Sequence, residues 1–386
     1  MMKVLIFARS NSPFKTVRRD HDYIISNLIS SGYSVDIYDP KQRILMDLDA
    51  KKIHSYNLFP VFFYKLKINI FLNFLSLIYF CIKNKKKYNV VQINYLREEY
   101  LVIPQLINNL SDKLVICLFG SDINQRTFIK NKFTKIYDKA DAIIASSLNF
   151  AKTANSYVKN DVILDKLHVL LLPQDHFKFY RDFTFENKKE SKKKLNYPLD
   201  KIIVVLGTNS TENEQHEKMF EEVKKIPDIS RFHFVINLSN HLNTVLDRER
   251  KIEELLKTEF KTISYSINIR FLSYEEMALL RHATDIFVNM RKIDQLALSL
   301  MESNLGFANV ITGKWLPYND YTSDVKTTLI NSIDELSSAI NTIANSLQTE
   351  DNLLTLNQNR MKVIEKYDNN VINDWLNFYK KLNIEN

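Results

Sequence analysis

The sequence predicts an α/β protein built from two doubly wound parallel-sheet domains. Three observations predict it. The chain has 386 residues, more than one ordinary core accommodates and enough for two domains of similar size. Short, continuous apolar runs alternate with longer helical stretches, the pattern of parallel strands buried on both faces. The alternation stops at a lysine-rich stretch (NKKESKKKLNYP) and then restarts. Residues 1–180 are therefore read as a first Rossmann-like domain, 181–200 as a linker and 201–367 as a second. The remainder, 368–386, is read as a helix packing back on the first.

The elements follow in order. Val4–Ala8 is an apolar run between polar residues and reads as a strand. Residues 18–31 read as a helix stopped by Gly32. Strands are expected at SVDIYD, YNVVQINY, KLVICLF and AIIASS. Residues 58–82 are unusually apolar and aromatic, and KNKKK closes them. A membrane span needs roughly 20 predominantly apolar residues. Lys65, Lys67, Asn69 and Asn73 interrupt this one. It reads either as a helix buried against the sheet or as one that also docks on a bilayer through Lys83, Lys85, Lys86 and Lys87. In the second half, KIIVVLG, RFHFVINLS, INIRFLS, DIFVNM and NVITG read as strands. EQHEKMFEEVKKI, YEEMALLRHA, LALSLMESNL and the amphipathic VINDWLNFYKKL read as helices.

Net charge is +8, and it is unevenly placed. Residues 1–180 carry 26 Lys and Arg against 15 Asp and Glu, and the remainder 27 against 30. The first half thus carries the whole basic excess, as a surface facing phospholipid or a lipid pyrophosphate would, or as a plain solvated lysine face would. No nucleic-acid-binding module accompanies it, so nucleic acid is not an expected partner. The two cysteines, Cys81 and Cys117, sit in apolar surroundings without a C-x-x-C or Cys/His cluster, so no metal site is signalled. With no signal peptide recognisable at the N-terminus, the expected location is cytoplasmic.

Four segments carry chemistry. In DIFVNMRKIDQLALSLMESNLGFANVITG, Asp294 and Glu302 stand seven residues apart around an apolar helix. Eight helical steps span about 12 Å, the order of distance from a donor sugar across a diphosphate to a ribose. Carboxylates accept hydrogen bonds from sugar hydroxyls, and a helix start near Gln295, Leu296 and Leu298 offers free N–H groups to a phosphate. In LGTNSTENEQH a strand ends at Gly207, and Thr208, Asn209 and Ser210 lead to a helix beginning near His216; this loop suits a phosphate cradle. It lacks cations, which Arg291 or Lys292 beside Asp294 would supply. In LFGSDINQR a strand runs into Gly120, Ser121 and Asp122. Asp122 can orient an acceptor hydroxyl, act as base, or simply cap the next helix; Arg126 can meet a phosphate. The first loop carries Ser10, Asn11 and Arg18, with Asp20 and His21 opening the following helix as possible acid–base groups or as ordinary exposed residues.

The Asp294–Glu302 segment resembles the acidic–seven–acidic motif of GT-B glycosyltransferases of family 4. The Asn-rich loop ending in His216 is similar to that of O-antigen and Fuc4NAc-type transferases, and Gly313–Tyr318 also resembles this group. Two departures stand out: Asp294 where Glu is usual, and Gly306 one place early. The resemblance implies a GT-B fold, two Rossmann-like domains facing a central cleft, and a metal-independent transferase using a nucleotide-sugar. It assigns Glu302 to the ribose and Asp294 to the sugar, and places Gly313–Tyr318 near the donor nucleotide or diphosphate. It places Ser10, Asn11, Arg18, Gly120, Ser121 and Arg126 on the acceptor side. A polyprenyl-diphosphate-linked saccharide is the implied acceptor, with peripheral contact to an anionic inner membrane. Family 4 likeness favours retention, and the Fuc4NAc likeness inversion. The rival readings are a GT-B-shaped nucleotide-sugar epimerase, a basic nucleic-acid-binding protein and a non-catalytic scaffold.

Overall fold

The computed structural model describes residues 2–7, 19–38, 52–54, 69–94, 96, 100, 102–118, 130–156, 161–238, 246–261, 263–294, 296–368 and 371–384. The chain divides into two compact units, one of Met1–Asp175 with Asn370–Asn386, the other His176–Asn369.

The first unit is a parallel sheet of seven strands: β1 (Lys3–Phe7), β2 (Ser34–Tyr38), β3 (Lys52–His54), β4 (Tyr88–Asn94), β5 (Ser111–Cys117), β6 (Ala142–Ala145) and β7 (Leu167–Val169). Their spatial order is β3-β2-β1-β4-β5-β6-β7. Because side chains alternate along a strand, β1 feeds two cores. Leu5 and Phe7 join Leu77, Phe80, Ile107, Ile136 and Phe150 on one face. Val4 and Ile6 join Ile24, Ile25 and Leu28 on the other. Helix Arg19–Ser30 closes at Gly32, where the Tyr33 N–H returns to the Leu28 carbonyl. The short strands β3 and β7 have no counterpart in the sequence reading: at three residues each they are too short for a periodic pattern.

The final helix, Val371–Ile384, belongs to this first unit. Val371, Trp375, Phe378, Tyr379 and Leu382 fill the core that Val4 and Ile6 line. Trp375 Nε1 donates to the Leu171 carbonyl at 2.6 Å, and the Tyr379 hydroxyl donates to Gln92. The apolar stretch at 58–82 is a helix over Asn69–Lys83; its earlier residues lie outside those described. Among the described residues no helix is long and apolar enough to cross a membrane.

The second unit is a parallel sheet of six strands: β8 (Ile202–Leu206), β9 (Phe232–Asn237), β10 (Tyr265–Asn268), β11 (Ile286–Asn289), β12 (Asn309–Gly313) and β13 (Thr328–Ile330). The order is β10-β9-β8-β11-β12-β13. Strand β10 lies earlier than INIRFLS suggests, ending at Asn268. The apolar residues beyond it, Ile269 and Phe271, are exposed. Helix Tyr274–Ala283 has the expected bounds, fixed by a capping box of Ser273 and Glu276.

The lysine-rich stretch expected as a linker is part of this unit. It forms helix Lys188–Lys194, and Lys188 and Lys192 are buried. Lys192 Nζ donates to Asp285 Oδ2 at 2.6 Å, and Lys188 Nζ to the carbonyls of Thr284 and Phe307 at 2.5 and 2.8 Å. Asp285 also accepts the Ile203 N–H at 2.8 Å, tying the amino ends of β8 and β11 together. Burial pushes the Lys188 ammonium down to about 8, against the pull of Asp285. The charge run is therefore two buried anchors among exposed lysines. Lys188→Ala orphans two buried carbonyls and loosens Asp285, and is expected to cost about 3 kcal/mol in urea unfolding. The exposed neighbour Lys189→Ala is expected to change stability by less than about 0.5 kcal/mol.

Candidate donor-binding site

Strand β8 is followed by β9 on one side, while β11 returns to its other side. The carboxyl ends of β8 and β11 thus bound a topological switch point, where open parallel sheets bind ligands. Two loops meet there. One is Gly207–Gln215 after β8. The other, after β11, runs from Met290 to Ala297 and leads into helix Leu298–Leu305.

Gly207 has φ +70°, and a Cβ there would lie 2.8 Å from His216 Nε2 and 3.0 Å from Glu214 Oε2. The glycine is required because both side chains are packed beneath it with no exposed surface. Glu214, which no motif in the sequence marks, is the centre of the site. Its carboxylate accepts the Thr208 N–H at 3.2 Å, the Thr208 hydroxyl at 2.5 Å and Arg291 Nε at 2.9 Å. Arg291 reaches further, from one amino group to Asp294 Oδ2 at 3.0 Å and from the other to Thr208 Oγ1 at 2.7 Å. The Tyr318 hydroxyl donates to Asp294 Oδ2 at 2.6 Å and accepts from Asn289 Nδ2 at 3.2 Å. Burial, reinforced by Asp294, pushes the Tyr318 phenol well up, so it stays a donor. Burial alone would lower the Arg291 pKa; Glu214 and Asp294 outweigh it and raise it. Trp315 Nε1 donates to the Arg291 carbonyl at 2.7 Å, and Asn213 is hydrogen-bonded to the backbone of Ile293 in both directions.

The structure thus brings Gly207, Thr208, Arg291 and Asp294 together, and adds Glu214, Trp315 and Tyr318. Lys292 is exposed at the rim and Leu296 is half-buried. Asn209 accepts the Thr211 N–H at 2.9 Å and closes the turn. Two expected donor contacts have no surface to offer. Ser210 is buried, its hydroxyl on Glu249 and its carbonyl on Arg248. His216 is fully buried, and desolvation lowers its pKa and favours the neutral ring. Both shape the loop from below.

Asp294 does not share a helix with Glu302 as the spacing suggests. The helix starts at Leu298, and Ala297 caps it without a side-chain bond, so its first amides have no side-chain partner. The bonds to Arg291 and Tyr318 hold Asp294 in the preceding loop. Glu302 is buried on that helix, with Oε1 3.0 Å from His176 Nε2 and Oε2 3.4 Å from Arg281 Nε. Burial works to raise its carboxyl, but His176 and Arg281 together hold it below the usual carboxylate range. His176 stacks on Tyr274 with centroids 4.4 Å apart. Gly306 sits early because the chain passes against the Arg281 backbone, where a Cβ would approach to 2.6 Å.

Gln295 lies outside the described residues, as do Ser10, Asn11, Arg18, Gly120, Ser121, Asp122 and Arg126. For Asp20 and His21 only their place in helix Arg19–Ser30 is described. Among the described residues no group of three or more His, Cys, Asp or Glu is arranged to hold a metal.

No family model and no curated protein matches the sequence. Solved structures match the fold from end to end. HepE of Anabaena, solved with UDP and glucose, is similar with a TM-score of 0.73 at 13% identity, covering 99% of this chain and 100% of that one. A glycosyltransferase from Rickettsia africae gives 0.76 at 16%, covering 99% and 98%. Sucrose-phosphate synthase of Thermosynechococcus elongatus gives 0.78 at 15%, covering 100% of both chains. The chain has the GT-B fold. In this GT-B chain the Asp294–Glu302 segment and the Gly207 loop flank the switch point of the second sheet.

Two outcomes test the site's construction. Arg291→Lys keeps a cation but cannot bridge Glu214, Thr208 and Asp294 at once. It is expected to lower unfolding stability by about 3 kcal/mol, because a buried carboxylate loses its partner. The folded-state pKa of Glu302 is depressed, so its stabilisation is present above the ordinary carboxylate range and disappears as pH falls through the folded value. The melting-temperature gap between wild type and Glu302→Gln should be wide at pH 7 and shrink as pH drops below about 4.

Proposed function

We propose that this chain is a glycosyltransferase and that its second unit binds a nucleotide-sugar donor at the β8–β11 switch point. The observation that carries the reading is the Arg291 guanidinium, fixed between Glu214, Thr208 and Asp294 at the carboxyl ends of both strands. A guanidinium has five N–H groups, and three are used here. The remaining two are available to a diphosphate. Lys292 at the rim and the uncapped start of helix Leu298–Leu305 add positive potential on the departing nucleoside diphosphate, so the transfer needs no bound metal. Asp294 would accept from a sugar hydroxyl. Glu302 would accept from the ribose: a carboxylate has about four acceptor sites, and His176 and Arg281 use two while fixing its orientation. HepE was solved with UDP and with UDP-glucose, which supports a nucleotide-sugar as the ligand class. Family 4 likeness of the Asp294–Glu302 segment supports retention at the anomeric carbon.

The acceptor we propose is a lipid-linked saccharide used in building a surface polysaccharide of O-antigen or capsule type, reached at the cytoplasmic face of an anionic membrane. On the first unit, helix Asn69–Lys83 ends with Tyr79, Ile82 and Lys83 exposed, followed by exposed Lys85, Lys86 and Lys87. Apolar and basic residues side by side suit the interface of an anionic bilayer.

Thermal unfolding with UDP, GDP, dTDP, CMP and ADP, with and without EDTA, tests the donor reading. One nucleotide is expected to raise the melting temperature by several degrees in EDTA, and Arg291→Ala should abolish the shift. No shift with any of them at millimolar concentration would sink the assignment. Vesicle co-sedimentation tests the membrane reading: binding should need anionic lipid and weaken when Lys85, Lys86 and Lys87 are replaced by Gln.

A further inference from the structure

The loop Gly207–Gln215 is anchored to two different elements. One is the loop after β11: Arg291 bonds Glu214 and Thr208, Asn213 bonds the backbone of Lys292 and Ile293, and Gln215 Nε2 donates to the Met290 carbonyl at 2.6 Å. The other is helix Leu246–Glu259, which follows β9, the strand on the opposite side of β8. From its first turn Arg248 Nε donates to the Ser210 carbonyl at 2.7 Å, and Glu249 accepts the Ser210 hydroxyl at 3.3 Å. Thr208 and Ser210, two residues apart, are thus each held by a guanidinium reaching in from a different element.

Arg248 also donates from Nη2 to Glu217 Oε2 at 2.7 Å, on helix His216–Val223, into which the loop runs. Its guanidinium therefore bridges the middle of the loop and the helix after it. Two of its nitrogens act at once, which a lysine ammonium does not reproduce. Its side chain is 18% exposed, so these bonds are less screened than those of a surface ion pair. Ser210 has no exposed surface, so its carbonyl has no water to turn to when Arg248 is removed. An orphaned buried carbonyl is costly, and the backbone around Ser210 relieves it by turning, which displaces Thr208 and Asn209. Those two residues are the half-buried part of the loop, and Thr208 is bonded to Arg291, the group read as meeting the diphosphate.

We propose that Arg248 is a positioning residue for the nucleotide-sugar: through the Ser210 carbonyl it holds the Thr208–Ser210 backbone in the shape that receives the donor diphosphate. The assignment rests on the donor reading above. It adds a second guanidinium to the site, one that acts on the loop, whereas Arg291 acts on the ligand.

UDP, GDP, dTDP, CMP and ADP are titrated by calorimetry into the full chain, and each one that binds is titrated into Arg248→Gln, Arg248→Lys and Glu217→Gln. Circular dichroism and the melting temperature establish that each variant is folded. Arg248→Gln should bind at least about tenfold more weakly, the order of loss expected when a contact loop is misplaced. Arg248→Lys still reaches one acceptor and should recover part of that loss, binding about three- to tenfold more weakly than wild type. Glu217→Gln weakens only the bond to the following helix, so its melting temperature should fall while its affinity stays within about threefold of wild type. Wild type binding none of the five overturns the donor reading and this assignment with it. A nucleotide that binds wild type and folded Arg248→Gln equally overturns the assignment alone, as does a loss in Glu217→Gln as large as that in Arg248→Gln. Should Arg248→Gln fail to fold, Arg248→Lys decides, and affinity equal to wild type overturns the assignment.

Discussion

A carboxylate with no exposed surface has to be surrounded by donors, and Glu214 obtains its donors from both sides of a sheet's switch point. Thr208 comes from the loop after β8 and Arg291 from the loop after β11. Satisfying Glu214 therefore fixes the distance between these loops. It also orients the guanidinium, since Nε is committed to Glu214 and the two amino groups are left to Thr208, Asp294 and whatever enters. Asp294 is held in turn by Tyr318, whose hydroxyl is supported by Asn289 at the end of β11. One buried charge thus orders residues from three loops, and it also dictates glycine at position 207.

The opposite end of the same strands is built on the same logic with the signs arranged differently. Asp285 stands at the amino end of β11 and gathers Lys192, Lys188 and the Ile203 N–H of β8. The pair β8–β11 is thus pinned at both ends by ionic groups taken largely out of water. Such pairs are destabilising to break and contribute little net stability, so their role here is to fix geometry. Between the pins, Val204, Leu206, Ile286 and Val288 supply the apolar burial.

The sequence makes the alternation of strands and helices legible because parallel strands buried on both faces are continuous apolar runs. Helix Tyr274–Ala283 and strand Asn309–Gly313 are readable to the residue, since Ser273, Glu276 and Gly313 mark their ends. Strands of three residues leave no periodic trace. The lysine stretch misleads because composition cannot tell a solvated lysine from one whose ammonium bonds two carbonyls. In the site, the Asp294–Glu302 spacing locates the right segment, but the helix begins four residues after Asp294. Glu214 is invisible beforehand, because a Glu in a polar loop looks like solvent-facing charge until Gly207 opens room for it.

The final helix adds a consequence in time. The first unit is discontinuous: its opening strand and the helix covering one face of its sheet lie at opposite ends of the chain. During synthesis, all of His176–Asn369 leaves the ribosome before Trp375, Phe378 and Tyr379 do. The second unit takes no segment from beyond Asn369, whereas the first keeps an apolar sheet face uncovered until those residues arrive. A chain cut short before residue 371 keeps all the residues of the second unit and leaves one face of the first sheet without its covering helix.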